Sequence, residues 1–320
     1  MINSDELIKS IKDAQLNLIV FDEKNKVVWD EKINSIIDAK LYFSFNKISY
    51  DKEYYEVNNE IVLAIEFNSC FYLFKMFIKD SEVLFFPPFI DPNFDYFTGI
   101  KINKIIFSFF NSLNLKLRFF NLPRVNSLTE NFKLLFSSIS IIESSYDMYV
   151  DLTFSENELW KSLRKSYKSL INSSVKQIIF KNEVDKKDFL LCKNFHHKVA
   201  GRKTRNDETW KLQYESIIMG ESKIFMAFDF EKKLLGFSLF QIGDSTVSYS
   251  VGAYNRDKFK TLAISHSLIW KSILFFKENH QQLYLGNTSY KKEIIDQKLK
   301  NINQFKLGFC SKMESNPYLV

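Results

Sequence analysis

The stretch DLTFSENELWKSLRKSYKSLINSSVK (151–176) opens strand-like at DLTF and passes a polar break. It then predicts a helix that starts at Ser155 and runs to about Asn172. Ser155 with Glu158 three residues on is a capping-box pattern, in which each side chain satisfies an orphan N–H of the first turn. Acidic Glu156 and Glu158 suit the positive end of a helix, and the cations Arg164, Lys165 and Lys168 come later. A spacing of i, i+3 puts Lys165 and Lys168 on one helix face, where two ammonium groups can meet one anion.

Outward from this stretch, the chain alternates strands and helices. Before it, 16–21, 61–67, 70–78, 115–122 and 148–154 read as strands, and 101–114 and 128–135 as helices. The segment 83–92 reads as a loop, because Pro87, Pro88 and Pro92 remove ladder donors. After it, 187–199 and 208–218 read as helices. The run 224–254 reads as three strands joined at EKK and GDS, followed by a helix over 261–279, a strand at 283–287, a short helix and a final strand pair. A β-meander followed by a helix and one more strand is an α+β pattern and not a doubly wound sheet. Both halves share this rhythm, and the domain boundary is expected near residue 150, giving domains 1–150 and 151–320.

Composition bounds the partners. The chain has 320 residues, enough for two domains, with 33 Phe, 15 Tyr and only 8 Gly. Residues 1–150 carry a net charge of −4 and residues 151–320 a net of +10. The second half is therefore the one expected to meet an anionic partner. Cys70, Cys192 and Cys310 are far apart and form no CxxC spacing, so neither zinc nor a disulfide framework is expected, and a cytoplasmic setting fits. The N-terminal MINSDELIKSIKDAQLNLIVFDEK has acidic residues where a secretion signal needs basic ones, and no apolar run nears the length of a membrane helix. Membrane contact is expected to be peripheral at most. His196 and His197 are adjacent on a predicted helix and expected on different faces, with no metal spacing to the other histidines.

Four segments of the second half, LWKSLRKSYKSLIN (159–172), VAGRKTRNDETWKLQ (199–213), KKLLGFSLF (232–240) leading to YSVGAY (249–254), and NINQFKLGF (301–309), together resemble the FemAB-like acyltransferases of the GNAT (Gcn5-related N-acetyltransferase) superfamily. The resemblance covers about half the chain. It implies a GNAT-like acyl-N-acyltransferase fold, commonly two GNAT-like domains side by side, with mixed, largely antiparallel sheets flanked by helices. It implies transfer of an acetyl or aminoacyl group to an amine of a cell-envelope or surface-polysaccharide precursor. No cofactor is then held; the co-substrate is acyl-CoA or aminoacyl-tRNA. The acceptor is an amine-bearing sugar or nucleotide-linked precursor, with tRNA a further partner and DNA excluded.

On matching positions, the resemblance puts Lys165 and Lys168 at the phosphates of the acceptor, with Lys168 where the family pattern has an Arg, so the bidentate fork is lost. It puts Phe305 and Lys306 at the transfer site, where Lys306 is the expected catalytic group, stabilising the oxyanion formed as the amine attacks. Arg202 and Arg205 lie in a basic loop before a helix that Asp207 is expected to cap, and that loop suits a phosphate or carboxylate. Glu208 and Tyr254 are candidate proton acceptors, and Asn287 a candidate for orienting substrate. The segment 254–264 holds no glycine, so it lacks a backbone nest for a pyrophosphate; Arg256, Lys258 and Lys260 would supply charge instead. The competing reading is a non-catalytic basic binding module, for tRNA or a nucleotide-linked glycan, on a transferase-derived fold.

Overall fold

A computed structural model describes residues 4–80, 82–113, 115–120, 127–136, 142–143, 145–258, 261–289, 297–316 and 318–319. The chain divides into two compact units, Met1–Tyr146 with Ser315–Val320, and Asp147–Glu314.

The first unit holds a five-stranded sheet in sequence order, Asn17–Val20, Asn59–Phe67, Cys70–Lys79, Glu82–Ile90 and Lys116–Phe119. The first four strands pair antiparallel, and the last two pair parallel across the helix Tyr96–Leu113. Segment 83–92, expected as a loop, is therefore mostly strand. The prolines are tolerated because the register with the neighbouring strand shifts there, from Lys75↔Phe86 to Leu73↔Phe89, so Pro87 and Pro88 fall at a bulge. The central strand Cys70–Lys79 is buried on both faces, between one cluster around Phe74 and Phe85 and another around Phe43 and Phe77. The parallel pairing ends at Phe85↔Phe119. Beyond it the space is filled by Phe86 and Phe120, stacked at 4.9 Å and 15°.

The second unit repeats that order inside a seven-stranded sheet. Strands Ile179–Lys181, Ser222–Phe228, Leu234–Ile242 and Thr246–Tyr254 pair antiparallel. The helix Ile264–Phe276 then crosses over to Gln282–Ser289, which pairs parallel to Thr246–Tyr254. Ser145–Asp151 and Lys312–Ser315 complete the sheet. One face packs on helices around Leu159, Tyr167, Ile171, Leu268 and Ile273. The other packs on Cys192, Phe195 and Ile217 of the helices Lys186–Ala200 and Asp207–Ile218.

Two helical expectations change. The capping box at Ser155 and Glu158 is formed, but its helix covers only Glu156–Ser162, and a second runs Lys165–Val175. Leu163 and Arg164 are extended, with ψ 140 and 132. The break is tertiary: the Arg164 N–H donates to the Gly308 carbonyl at 3.0 Å and so leaves the helical ladder. Asn206, and not Asp207, caps the helix Asp207–Ile218, its side chain accepting from Thr209 N at 2.7 Å. Asp207 instead pairs with Lys193 and Lys203. The closing segment forms the helix Gln297–Leu307, which carries Phe305 and Lys306 in its last turn. The two strands after it join different sheets, Lys312–Ser315 the large one and Tyr318–Leu319 a two-stranded one.

Candidate functional site

A single bulge organises the site. In the pairing of Leu234–Ile242 with Thr246–Tyr254 the register shifts between Leu239↔Val251 and Phe240↔Tyr249, leaving Ser250 as the extra residue. One extra residue inverts side-chain alternation. Val247 and Tyr249 accordingly pack with Tyr254 on the face that carries Leu268 and Ile273, while Val251 and Ala253 turn to the opposite face. Tyr249 and Tyr254 thus meet across Gly252, their hydroxyls 2.9 Å apart, and the Tyr254 hydroxyl lies 2.8 Å from buried Ser238 Oγ. Burial raises both phenols, Tyr249 well above its ordinary range. A phenol so raised is a poor proton acceptor near neutral pH, and Tyr254 suits donating or orienting.

The bulge also bends the strand. Parallel pairing with Gln282–Ser289 covers Thr246↔Gln282, Val247↔Leu283 and Ser248↔Tyr284, and stops just before the bulge. Past Ser248 the two strands share no register. Gly286 lies on the diverging side at φ +109, a conformation that side chains resist. The Lys306 ammonium fills the space beside it: a Cβ at Gly286 would lie 2.5 Å from Nζ. Burial depresses Lys306 to about 8. No carboxylate among the described residues forms an ion pair with it.

Tyr167 ties the Phe305–Lys306 turn to the basic helix. Its hydroxyl donates to the Phe305 carbonyl at 3.2 Å, and its ring packs on Phe305 at 6.2 Å, Phe309 at 5.1 Å and His266 at 4.4 Å. Gly308 is required beneath it, because a Cβ there would overlap the Tyr167 ring. Tyr167 follows Lys165 by two residues, so the start of the Lys165–Val175 helix and the Phe305–Lys306 turn are joined. Lys165 is exposed. Lys168 is half-buried and donates to the Lys161 carbonyl at 3.0 Å. Asn287 is exposed one residue beyond Gly286. At the far end of the same helix, Ser174 Oγ accepts from Ala263 N at 2.7 Å, fixing the start of the crossover helix.

Arg202 and Arg205 are not part of this constellation. They follow the helix Lys186–Ala200, which packs on the opposite face of the sheet. Arg205 stacks on Trp210 at 3.9 Å and donates to Gln213 at 2.7 Å, while Arg202 is exposed. Glu208 is held by Lys211 on that same side. Lys260 lies outside the described residues. Among them, no group of three or more His, Cys, Asp or Glu side chains could hold a metal ion.

Sequence reasoning missed Tyr167, Tyr249, Gly252, His266 and Gly308. His266 is half-buried edge-on to Phe305 at 5.0 Å, and burial lowers it to about 4, which keeps the imidazole neutral. A usable signal was present. The chain has only 8 Gly, and Gly236, Gly252, Gly286 and Gly308 all sit where a Cβ would strike a neighbour in this unit.

The fold has close likenesses among solved structures. FemX superposes with a TM-score of 0.66 at 11% identity, over 95% of this chain and 97% of that one. L-PGS from Bacillus licheniformis gives 0.57 at 11% identity, over 92% and 90%. A tandem GNAT protein from the clavulanic acid biosynthesis pathway gives 0.52 at 9% identity, over 95% and 97%. No family model matches the sequence, and no curated protein does. The likenesses span nearly the whole of both chains and show the fold alone: α+β, like that of FemX and of the tandem GNAT protein. No helix among the described residues is long and apolar enough to cross a membrane.

Proposed function

We propose, from a FemAB-like tandem GNAT fold, that the chain is an N-acyltransferase acting at the opening between Thr246–Tyr254 and Gln282–Ser289. The observation that carries this reading is the half-buried Lys306 ammonium beside Gly286, without a carboxylate partner among the described residues. A desolvated cation at such a place stabilises an anion that appears only during reaction, and low dielectric increases its worth. Attack of an amine on a thioester or ester carbonyl creates such an oxyanion. Collapse then expels the thiol or hydroxyl and leaves an amide, while the amine proton passes to water or to the leaving group.

The remaining residues divide the work. An extended, amide-bearing donor arm can pair with the strand edge left open past Ser248. Lys165, exposed in the first turn of the joined helix, takes the acceptor's anionic group, with Lys168 contributing from the same face. Phe305, His266 and Tyr167 wall the site and exclude water. Tyr254, with Tyr249 and Ser238, offers a hydroxyl chain for orienting substrate or returning a proton. The acceptor class is an amine-bearing sugar or nucleotide-linked precursor of the cell envelope, and the donor is acyl-CoA or aminoacyl-tRNA. The test is a donor panel with amino-sugar acceptors, read as acceptor-dependent thiol release or loss of aminoacyl ester. Turnover with either donor class supports the reading. Salt-dependent binding without turnover on any donor favours a binding module instead.

A further inference from the structure

The helix Lys186–Ala200 carries apolar side chains on two opposite faces. Phe189 and Cys192 are buried toward the sheet, with Phe195 and Val199 packed beside them. At about 100° per residue, Lys187, Leu190, Leu191, Asn194 and Lys198 share the opposite face, within an arc of roughly 100°. All five are exposed, Leu190 at 44% and Leu191 at 43%. Neither leucine belongs to an apolar cluster of the described residues. A single exposed leucine is ordinary, but the outermost face of a solvated helix is expected to be polar. Here that face is a leucine pair set between two lysines.

Charge decides what covers it. Lys186, Lys187, Lys198 and, on the following loop, Arg202 form no ion pair among the described residues. The carboxylates around them are committed elsewhere. Asp185 caps the helix, Asp188 pairs with Lys181, and Asp207 pairs with Lys193 and Lys203. Glu183, ahead of the helix, acts on Lys181. The exposed stripe itself holds no acid. A second copy of the chain is a poor cover, because helices paired in either direction would set Lys187 and Lys198 against cations. A nucleic acid would use the cations and give the leucines no role. A bilayer with anionic headgroups uses both, since leucines enter the headgroup boundary and lysines meet lipid phosphates.

We propose that the exposed face of Lys186–Ala200 docks reversibly on anionic lipid bilayers, with Leu190 and Leu191 in the headgroup boundary and Lys187, Lys198 and Arg202 at the phosphates. The proposal does not rest on acyl transfer. The test is sedimentation of the full chain with vesicles of phosphatidylcholine alone and of an equal mixture of phosphatidylcholine and phosphatidylglycerol. Binding is expected to the mixed vesicles only, with release at high salt. Leu190→Glu with Leu191→Glu should abolish it. Lys187→Gln with Lys198→Gln should weaken partitioning roughly thirtyfold, about fivefold for each lysine. All four positions are exposed, and far-UV circular dichroism checks that both variants fold. No sedimentation with either vesicle, equal sedimentation with both, or binding kept in the leucine variant would each overturn the proposal. So would a dimer that the leucine variant dissociates, which would give this face to a second copy of the chain.

Discussion

The Lys306 ammonium occupies the room that a side chain at residue 286 would need, with Nζ 2.5 Å from the Cβ position of Gly286. Gly286→Ala should therefore displace the ammonium and strain a backbone held at φ +109. The strain costs about 1–3 kcal/mol. Loss of a single oxyanion partner lowers kcat by roughly a hundredfold. Steady-state kinetics beside a thermal melt separates the two effects, because a purely structural role would lower Tm and leave kcat near its original value.

Acyl transfer at Lys306 carries a pH signature. Burial brings this lysine to about 8, so the cation is present at neutral pH and is lost as pH rises through about 8. With saturating acceptor, kcat should fall along that limb. Lys306→Arg keeps its charge and should move the limb beyond pH about 10. For stability the sign follows from the same shift. The folded value lies below the ordinary 10.5, so the charged form is disfavoured in the fold. That penalty is full below about 8 and is released as pH rises from 8 towards 10.5. Lys306→Met should accordingly stabilise the chain at pH 7 and lose this advantage by pH 10.5, which denaturation at both pH values would reveal.

Gly308 and Tyr167 form a second close pair. A Cβ at residue 308 would overlap the Tyr167 ring, and the Gly308 carbonyl accepts the Arg164 N–H that breaks the helix. Gly308→Ala should cost about 1–3 kcal/mol, as overpacking in a closed site does. Tyr167→Leu in the same chain should recover part of that loss, as judged from paired melts.

In the first unit, Lys75 is 1% exposed and donates to Asp51 at 2.9 Å and to the Tyr42 carbonyl at 2.8 Å, with the Phe86 ring 4.5 Å away. Lys75→Met should destabilise by about 3 kcal/mol, because Asp51 remains buried with Lys47 as its remaining cation. Adding Asp51→Leu should restore much of the loss in chemical denaturation.

Much of the fold could be read from the sequence, because strand runs such as IVLAIEF (61–67) and the turns EKK and GDS announce themselves locally. The Ser155–Glu158 capping box could too, since both partners lie within one turn. What escaped depends on distant atoms. Nothing near Leu163 signals a break that the Gly308 carbonyl makes. Pro87 and Pro88 argue against strand until a bulge takes them. Tyr249 and Tyr254 differ in parity and read as opposite faces until Ser250 inverts the alternation. The motif residues Phe305 and Lys306 stood out in the sequence. Their neighbours Tyr167 and His266 did not, because only packing brings them there.

The most direct measurement is the transfer rate of Lys306→Ala beside its affinity for the donor that the wild-type chain turns over. Acyl transfer at the opening beside Gly286 predicts a fall of about a hundredfold or more in kcat with donor and acceptor binding retained. A rate unchanged within about twofold would contradict it, and so would loss of binding alone with turnover intact at saturating substrate.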